Sequence, residues 1–324
     1  MTVATGIRTK AGDGARGEFS ATLNLVHGGE TPVTIRYELA GPEDASLLIV
    51  AGGISAGRHA VANASDASEG WWQVQSDAFR PFRLLAIDWL GADGALDRPI
   101  DSSDQARALL AALDELELPG AAAFVGASYG GMVGMHCAAM APKRVPALLA
   151  IGAAHRSHPF ASAQRALQRQ AVELAERLGS PEQGVALARK LAILTYRTSQ
   201  EFAARFAAPT AIEDDRARAS SEAYLDHMGA KHSARMTATA YRRLSESIDL
   251  HHIDPATINV PATFVAADSD QLVPAEDIEA LAHAVPNGRF ILIPSLFGHD
   301  AFLKEGRAVG EIIETFLSSL EQVQ

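Results

Sequence analysis

The sequence predicts an α/β protein, built on one mostly parallel sheet with helices on both faces and a helical insertion over one edge. Three observations carry this. Short apolar runs alternate with longer helical patterns along most of the 324 residues, as in a parallel sheet buried on both sides. Two segments of strict alternation open the chain. From about 155 to 252, helical pattern continues with no convincing strand.

Taken in order, residues 19–26 and 33–39 alternate apolar with polar around the turn His27-Gly28-Gly29-Glu30, which reads as an antiparallel hairpin at one sheet edge. Leu47–Ala51 is a buried strand ending at Gly52-Gly53, and 82–88, 121–126, 147–151, 262–266 and 289–293 are further strands. Between them lie helical stretches such as 101–116, with apolar residues at Ala106, Leu109, Leu110 and Leu113. In the insertion, Leu167, Ala171, Leu174 and Leu178 form one stripe. The expected organisation is a core of residues 1–154 and 253–324, with a cap of residues 155–252 over the C-terminal edge of the sheet.

Composition narrows the function. Hydrophobic residues make up 48% of the chain and charged ones 21%, enough for a sizeable core. With 28 Lys+Arg against 39 Asp+Glu the formal charge is −11. Such a surface repels phosphate backbones, and no basic run appears, so no nucleic-acid partner is expected. A buried arginine would still admit a small anion. The single cysteine, Cys137, excludes an intramolecular disulfide and a thiolate zinc site. Residues 1–17 carry no apolar signal core, and no run reaches the ~18 apolar residues of a membrane span. The expectation is a soluble cytoplasmic protein with no membrane partner.

Gly126-Ala127-Ser128-Tyr129-Gly130 is a G-x-S-x-G string. Chance would place one in roughly one chain in seven, so context must decide. It follows the apolar run Ala122-Ala123-Phe124-Val125 and opens a helical stretch at 132–140, the strand–turn–helix of a nucleophile elbow. Serine needs a base, and in the α/β-hydrolase fold the partners follow in the order serine, acid, histidine, each after a later strand. After the strand 262–266 come Asp268 and Asp270, and their place in the turn leaves both open as the acid. After the strand 289–293 comes Gly298-His299, which singles out His299 among eleven histidines. His251-His252 and His155/His158 lack a carboxylate pattern and read as solvated surface, and no metal site is expected. An oxyanion hole needs two backbone donors. Tyr129, after the nucleophile, supplies one, and Ile54 in Gly52-Gly53-Ile54-Ser55 is assigned the other.

These residues resemble the homoserine O-acyltransferase family of the α/β-hydrolase superfamily, whose best-known members are homoserine O-acetyltransferases. Val125-Gly-Ala-Ser-Tyr-Gly-Gly-Met132 is similar to the family's elbow. The stretches 164–171, 184–189 with 194–197, Tyr224-Leu225 and 241–250 are similar to its cap segments. Ser269-Asp270-Gln271-Leu272-Val273-Pro274 and Gly298-His299-Asp300-Ala301-Phe302-Leu303 are similar to its acid and base motifs, the last being the most specific. The resemblance implies Asp270 as the acid. It also implies ping-pong transfer from acyl-CoA, a co-substrate and not a resident cofactor, to the hydroxyl of homoserine in methionine synthesis. Acetyl-CoA is the expected donor and succinyl-CoA the alternative. Arg189 would hold the amino acid's carboxylate, Tyr196 would face the site from the cap, and Asp300 would hold the ammonium group. A homodimer through the cap is implied as well.

The sequence departs from the family near the acyl pocket. Ala127 and Tyr129 replace the usual Gly and Met, the loop 89–98 is shorter than its Gly-Ser-Thr-rich counterpart, and Gly-Gly-Ile-Ser stands for Leu-Thr-Gly. Arg58 and Arg98 are the cations considered for a succinyl carboxylate. Three functions compete: the acyltransferase, with homoserine or serine as acceptor; a hydrolase with the same triad; and a non-catalytic protein on this fold. The intact triad argues against the last.

Overall fold

In the computed structural model, which describes residues 12–321, the predicted hairpin is β1 (Ala15–Leu25) and β2 (Gly29–Ala40), paired antiparallel along their length. Then come β3 (Leu47–Ala51), α1 (Ser76–Phe79), β4 (Arg83–Ile87), α2 (Ser102–Glu115), β5 (Ala123–Ala127), α3 (Tyr129–Met140) and β6 (Leu148–Ile151). After a helical segment, β9 (Ala262–Ala267), α9 (Ala275–Ala284), β10 (Gly288–Ile293), α10 (Ala301–Lys304) and α11 (Gly306–Glu321) complete the chain. The sheet order is β1-β2-β4-β3-β5-β6-β9-β10. Pairs β1–β2 and β2–β4 are antiparallel and the rest parallel.

Strand pleating explains why the central strands β3, β5 and β6 are apolar throughout. Leu47, Ile49 and Ala51 of β3 join the core under α2, α3 and α9, while Leu48 and Val50 join the opposite core under α1 and α11. Each strand serves two layers, so no polar face is left.

Between β6 and β9 lie α4 (Pro159–Arg177), α5 (Pro181–Tyr196), α6 (Ser199–Arg205), a hairpin of β7 (Ala211–Glu213) and β8 (Arg216–Arg218), α7 (Glu222–Ser233) and α8 (Ala238–Asp249). Proline at the first turn sets the starts of α4 and α5. The short hairpin corrects the expectation of an all-helical segment. Its residues are mostly exposed and lack the apolar alternation that reveals a strand in sequence. The leucine stripe of α4 faces outward. Leu167, Leu174 and Leu178 are 61%, 56% and 73% exposed, and α4 instead buries Ala161, Arg165, Gln168 and Val172. On α5, Leu187, Leu191 and Leu194 are also exposed. α4 turns Arg165 and Gln168 inward, α5 buries Val185, Ala188, Ala192 and Ile193, and both helices present leucines outward.

The ends of this segment are tied at a neck. Arg156 and His252 form an antiparallel bridge, and the Ile253 amide donates to the His155 carbonyl at 3.0 Å. His251, expected on the surface with His252, is buried here, and only His252 is exposed. Its Nε2 lies 3.0 Å from the Ala154 carbonyl and its Nδ1 2.6 Å from Ser102 Oγ. The carbonyl can only accept, so Nε2 carries the proton and Nδ1 accepts from the serine. Burial pushes the pKa of this imidazole down to about 3, and a neutral ring suits both bonds.

Candidate active site

Ser128 joins β5 to α3 with φ 54° and ψ −121°, a backbone conformation that surrounding structure must enforce. Its amide donates to the Ile151 carbonyl at 2.7 Å, and its carbonyl accepts from Gly131 and Met132 at 2.9 and 3.2 Å. A Cβ on Gly126 would stand 2.5 Å from the Gly130 carbonyl oxygen, and one on Gly130 would meet the Ala51 carbonyl. Only glycine lets strand and helix approach so closely.

The loops after β9 and β10 bring two further side chains to this serine. Asp270 Oδ1 accepts from the Leu272 and Val273 amides at 2.8 and 3.0 Å, and Oδ2 lies 2.7 Å from His299 Nδ1. His299 Nε2 is 2.7 Å from Ser128 Oγ. With Nδ1 donating to the carboxylate, the neutral ring offers its Nε2 lone pair to the serine proton. Burial opposes the imidazolium of His299. The adjacent Asp270 carboxylate more than offsets this and raises the pKa above its ordinary 6.5. Asp268 takes a different place: it is exposed and accepts from the Ser295 amide at 2.9 Å, tying the two loops together.

The loop after β3 is equally constrained. The Gly53 carbonyl accepts from the Ala56 amide at 2.9 Å and from Trp89 Nε1 at 3.0 Å, and Gly130 N donates to the Gly52 carbonyl at 2.8 Å. In a trans peptide the N–H points opposite its carbonyl, so the Ile54 amide is turned away from both donors. Neither it nor the Tyr129 amide meets an acceptor among the described residues. Both residues line the same cavity as Ser128. The Tyr129 ring is wholly buried, edge-on to Trp89 at 5.0 Å, and its hydroxyl bonds Ser247 of α8. Loop 89–98 contributes no wall to the cavity. It clasps α8 instead, with Asp97 paired to Arg243 at 2.8 Å.

The cavity holds about 190 Å³, with Ser128 and His299 on its floor and α4, α5 and α8 above. Residues 47–306 match the alpha/beta hydrolase fold family. A homoserine O-succinyltransferase of Xanthomonas campestris pv. campestris is 47% identical over 93% of this chain and 84% of its own length. The chain belongs to the homoserine O-acyltransferase family of the α/β-hydrolase fold. A homoserine O-acetyltransferase of Thermus thermophilus is 36% identical over 68% of this chain, and the match spans 58% of that protein. Among solved structures, homoserine O-acetyltransferase from Bacillus anthracis superposes with a TM-score of 0.83 at 16% identity, over 94% of this chain and 98% of that one. At that identity the likeness is one of fold.

The residues that the family resemblance singled out stand as follows. Arg189 lines the cavity with its guanidinium carbon 5.3 Å from the centre of the Tyr196 ring, and its Nε is buried without an acceptor. The Tyr196 ring lies 6.1 Å from that of His299. Asp300 also lines the cavity, but it is ion-paired: Arg197 Nε bonds its Oδ2, and Arg197 also bonds Glu201. Arg58 and Arg98 lie outside the cavity wall. Arg58 is engaged with Asp88, and exposed Arg98 donates to the Gly28 carbonyl. The sequence reading missed Arg165, Gln168 and Tyr241, which line the cavity from α4 and α8. The signal for Arg165 and Gln168 was the stripe 161, 165, 168, 172, the face of α4 opposite the leucines. Among the described residues, no group of three or more His, Cys, Asp or Glu is placed to hold a metal, and no helix is long and apolar enough to cross a membrane.

Proposed function

We propose that the protein is a homoserine O-acyltransferase working through an acyl-Ser128 intermediate. The observation that carries this is the hydrogen-bonded series Ser128–His299–Asp270 opening into a roofed cavity, which also holds the unpaired Arg189 guanidinium and the Asp300 carboxylate. An amino acid needs one fixed charge of each sign in such a pocket. In the first half-reaction Ser128 Oγ attacks the thioester carbonyl as His299 Nε2 takes its proton. The C–S bond breaks and CoA leaves with that proton. In the second, the homoserine hydroxyl gives its proton to His299 and attacks the acyl carbon. The Ser128 ester bond breaks, and the proton returns to the serine. The Ile54 and Tyr129 amides hold the oxyanion in both, and Asp270 keeps the ring in its working tautomer.

The cap of residues 155–252 is the part that favours transfer over hydrolysis, by holding the alcohol and excluding water. CoA release from acyl-CoA is expected to depend on homoserine, rising at least tenfold when it is added and little with serine. Equal release without any amino acid would make the enzyme a hydrolase, and equal stimulation by serine would change the acceptor. A CoA-dependent role in methionine synthesis supports a cytoplasmic enzyme. The outward leucines of α4 and α5 support a homodimer through the cap. Leu174→Glu with Leu178→Glu is expected to turn a dimer into a monomer by sedimentation, and an unchanged mass would remove that proposal.

A further inference from the structure

The charges that face this cavity exceed what an amino-acid acceptor uses. Arg165 of α4 is only 7% exposed and lies against the cavity. Its Nε donates to Asp249 Oδ1 at 2.8 Å and its Nη2 to Ser157 Oγ at 2.9 Å. Its Nη1 has no acceptor among the described residues. The carboxylate that anchors it does not neutralise it alone, because Arg169 Nη1 bonds the other Asp249 oxygen at 2.7 Å. Two guanidiniums share one carboxylate, so this wall carries a surplus positive charge behind a free, directed N–H donor. Arg189, against Tyr196, has no ion-pair partner among the described residues, and Asp300 lies on the turn that packs against α5.

A zwitterion bears its ammonium and carboxylate on one carbon, so it suits the neighbouring Arg189 and Asp300. That leaves the Arg165 wall with two guanidiniums against the single Asp249 carboxylate, a surplus that is costly unless the substrate supplies a second anion. Besides the uncharged thiol end of CoA, the other component of the reaction that reaches Ser128 is the acyl group. An acetyl group brings no charge to this wall, whereas a four-carbon dicarboxylic acyl group ends in a carboxylate. Arg156 also borders the cavity, but it is exposed and water screens it.

We infer that Arg165, held by Asp249 and Ser157, is the residue that selects a carboxylate-bearing acyl donor, so that the enzyme uses succinyl-CoA in preference to acetyl-CoA. The inference rests on the acyltransferase reading and names its donor. Gln168 strengthens it. Its Oε1 accepts from the Tyr241 hydroxyl at 2.9 Å, which aims its amide N–H₂ elsewhere and adds a second donor to the same wall.

The test compares succinyl-CoA with acetyl-CoA for the wild type, Arg165→Gln and Arg165→Lys. It reads both steady-state CoA release with homoserine and the acyl adduct on Ser128 by intact mass without acceptor. The wild type is expected to favour succinyl-CoA. Arg165→Gln should lower kcat/KM for succinyl-CoA by roughly 10²-fold, the scale of a lost buried charge pair, while acetyl-CoA changes by less than about threefold. Arg165→Lys should recover part of the preference. Retained acetyl-CoA activity shows that the variant is folded, since Arg169 still neutralises Asp249. Parallel losses with both donors would make Arg165 a scaffold for α4 and α8 and overturn the inference, as would a wild type that favours acetyl-CoA. No adduct from either donor would instead remove the acyltransferase reading, and this inference with it.

Discussion

Ser128→Ala is expected to lower kcat for acyl transfer by about 10⁴- to 10⁶-fold, because what remains is substrate positioning and the oxyanion amides without a nucleophile. The loss should be chemical and not structural. The hydroxyl makes its one side-chain hydrogen bond to His299, while the bend at this residue is held by backbone bonds from Ile151, Gly131 and Met132. Alanine keeps those bonds. Thermal denaturation should therefore stay within a few degrees of the wild type, and intact mass should show no acyl adduct from any donor. A variant retaining activity within tenfold would show that the serine does not carry the acyl group.

The second large effect separates two aspartates two residues apart. Asp270→Asn is expected to cost roughly 10⁴-fold in kcat, because an amide at this place offers an N–H where His299 Nδ1 needs an acceptor, and the ring turns to the wrong tautomer. Asp268→Asn should leave kcat within a few-fold, since its carboxylate only ties the acid loop to the Ser295 amide. The pH profile supplies an independent reading. His299 acts as a base only when unprotonated, and its pKa stands above 6.5 because Asp270 stabilises the imidazolium against burial. The acid limb of kcat/KM in the wild type should thus have its midpoint above pH 6.5. In Asp270→Asn the limb should move to lower pH, because the main charge that opposes burial is then gone and only the weaker effect of Asp300 remains. Comparable losses in the two asparagine variants, or an acid limb unmoved by Asp270→Asn, would break the assignment of the acid.

Replacing the leucine face tests assembly and replacing Arg165 tests the donor, and both concern the same helix. α4 shows most plainly that an amphipathic pattern can be read from sequence without its orientation. Its apolar and polar stripes are both visible in sequence, but periodicity does not say which side faces inward. In this chain the polar stripe is buried, because it lines a cavity that must solvate a charged substrate.

From the chain alone came the strands of the main sheet, their order in sequence, the elbow at Ser128, the base at His299 and a helical segment between the strands 147–151 and 262–266. These depend on features a few residues apart: apolar runs, glycine at tight turns, and loops that follow strands. Only the tertiary structure decided the rest. It buried His251 at the neck of the cap. It turned the Tyr129 hydroxyl to Ser247, paired Asp300 with Arg197, and moved the candidate donor cation from Arg58 and Arg98 to Arg165. Each of these joins residues distant in sequence through bonds a few ångströms long. Such bonds depend on how helices and loops cross in space, and no local pattern in the chain encodes that.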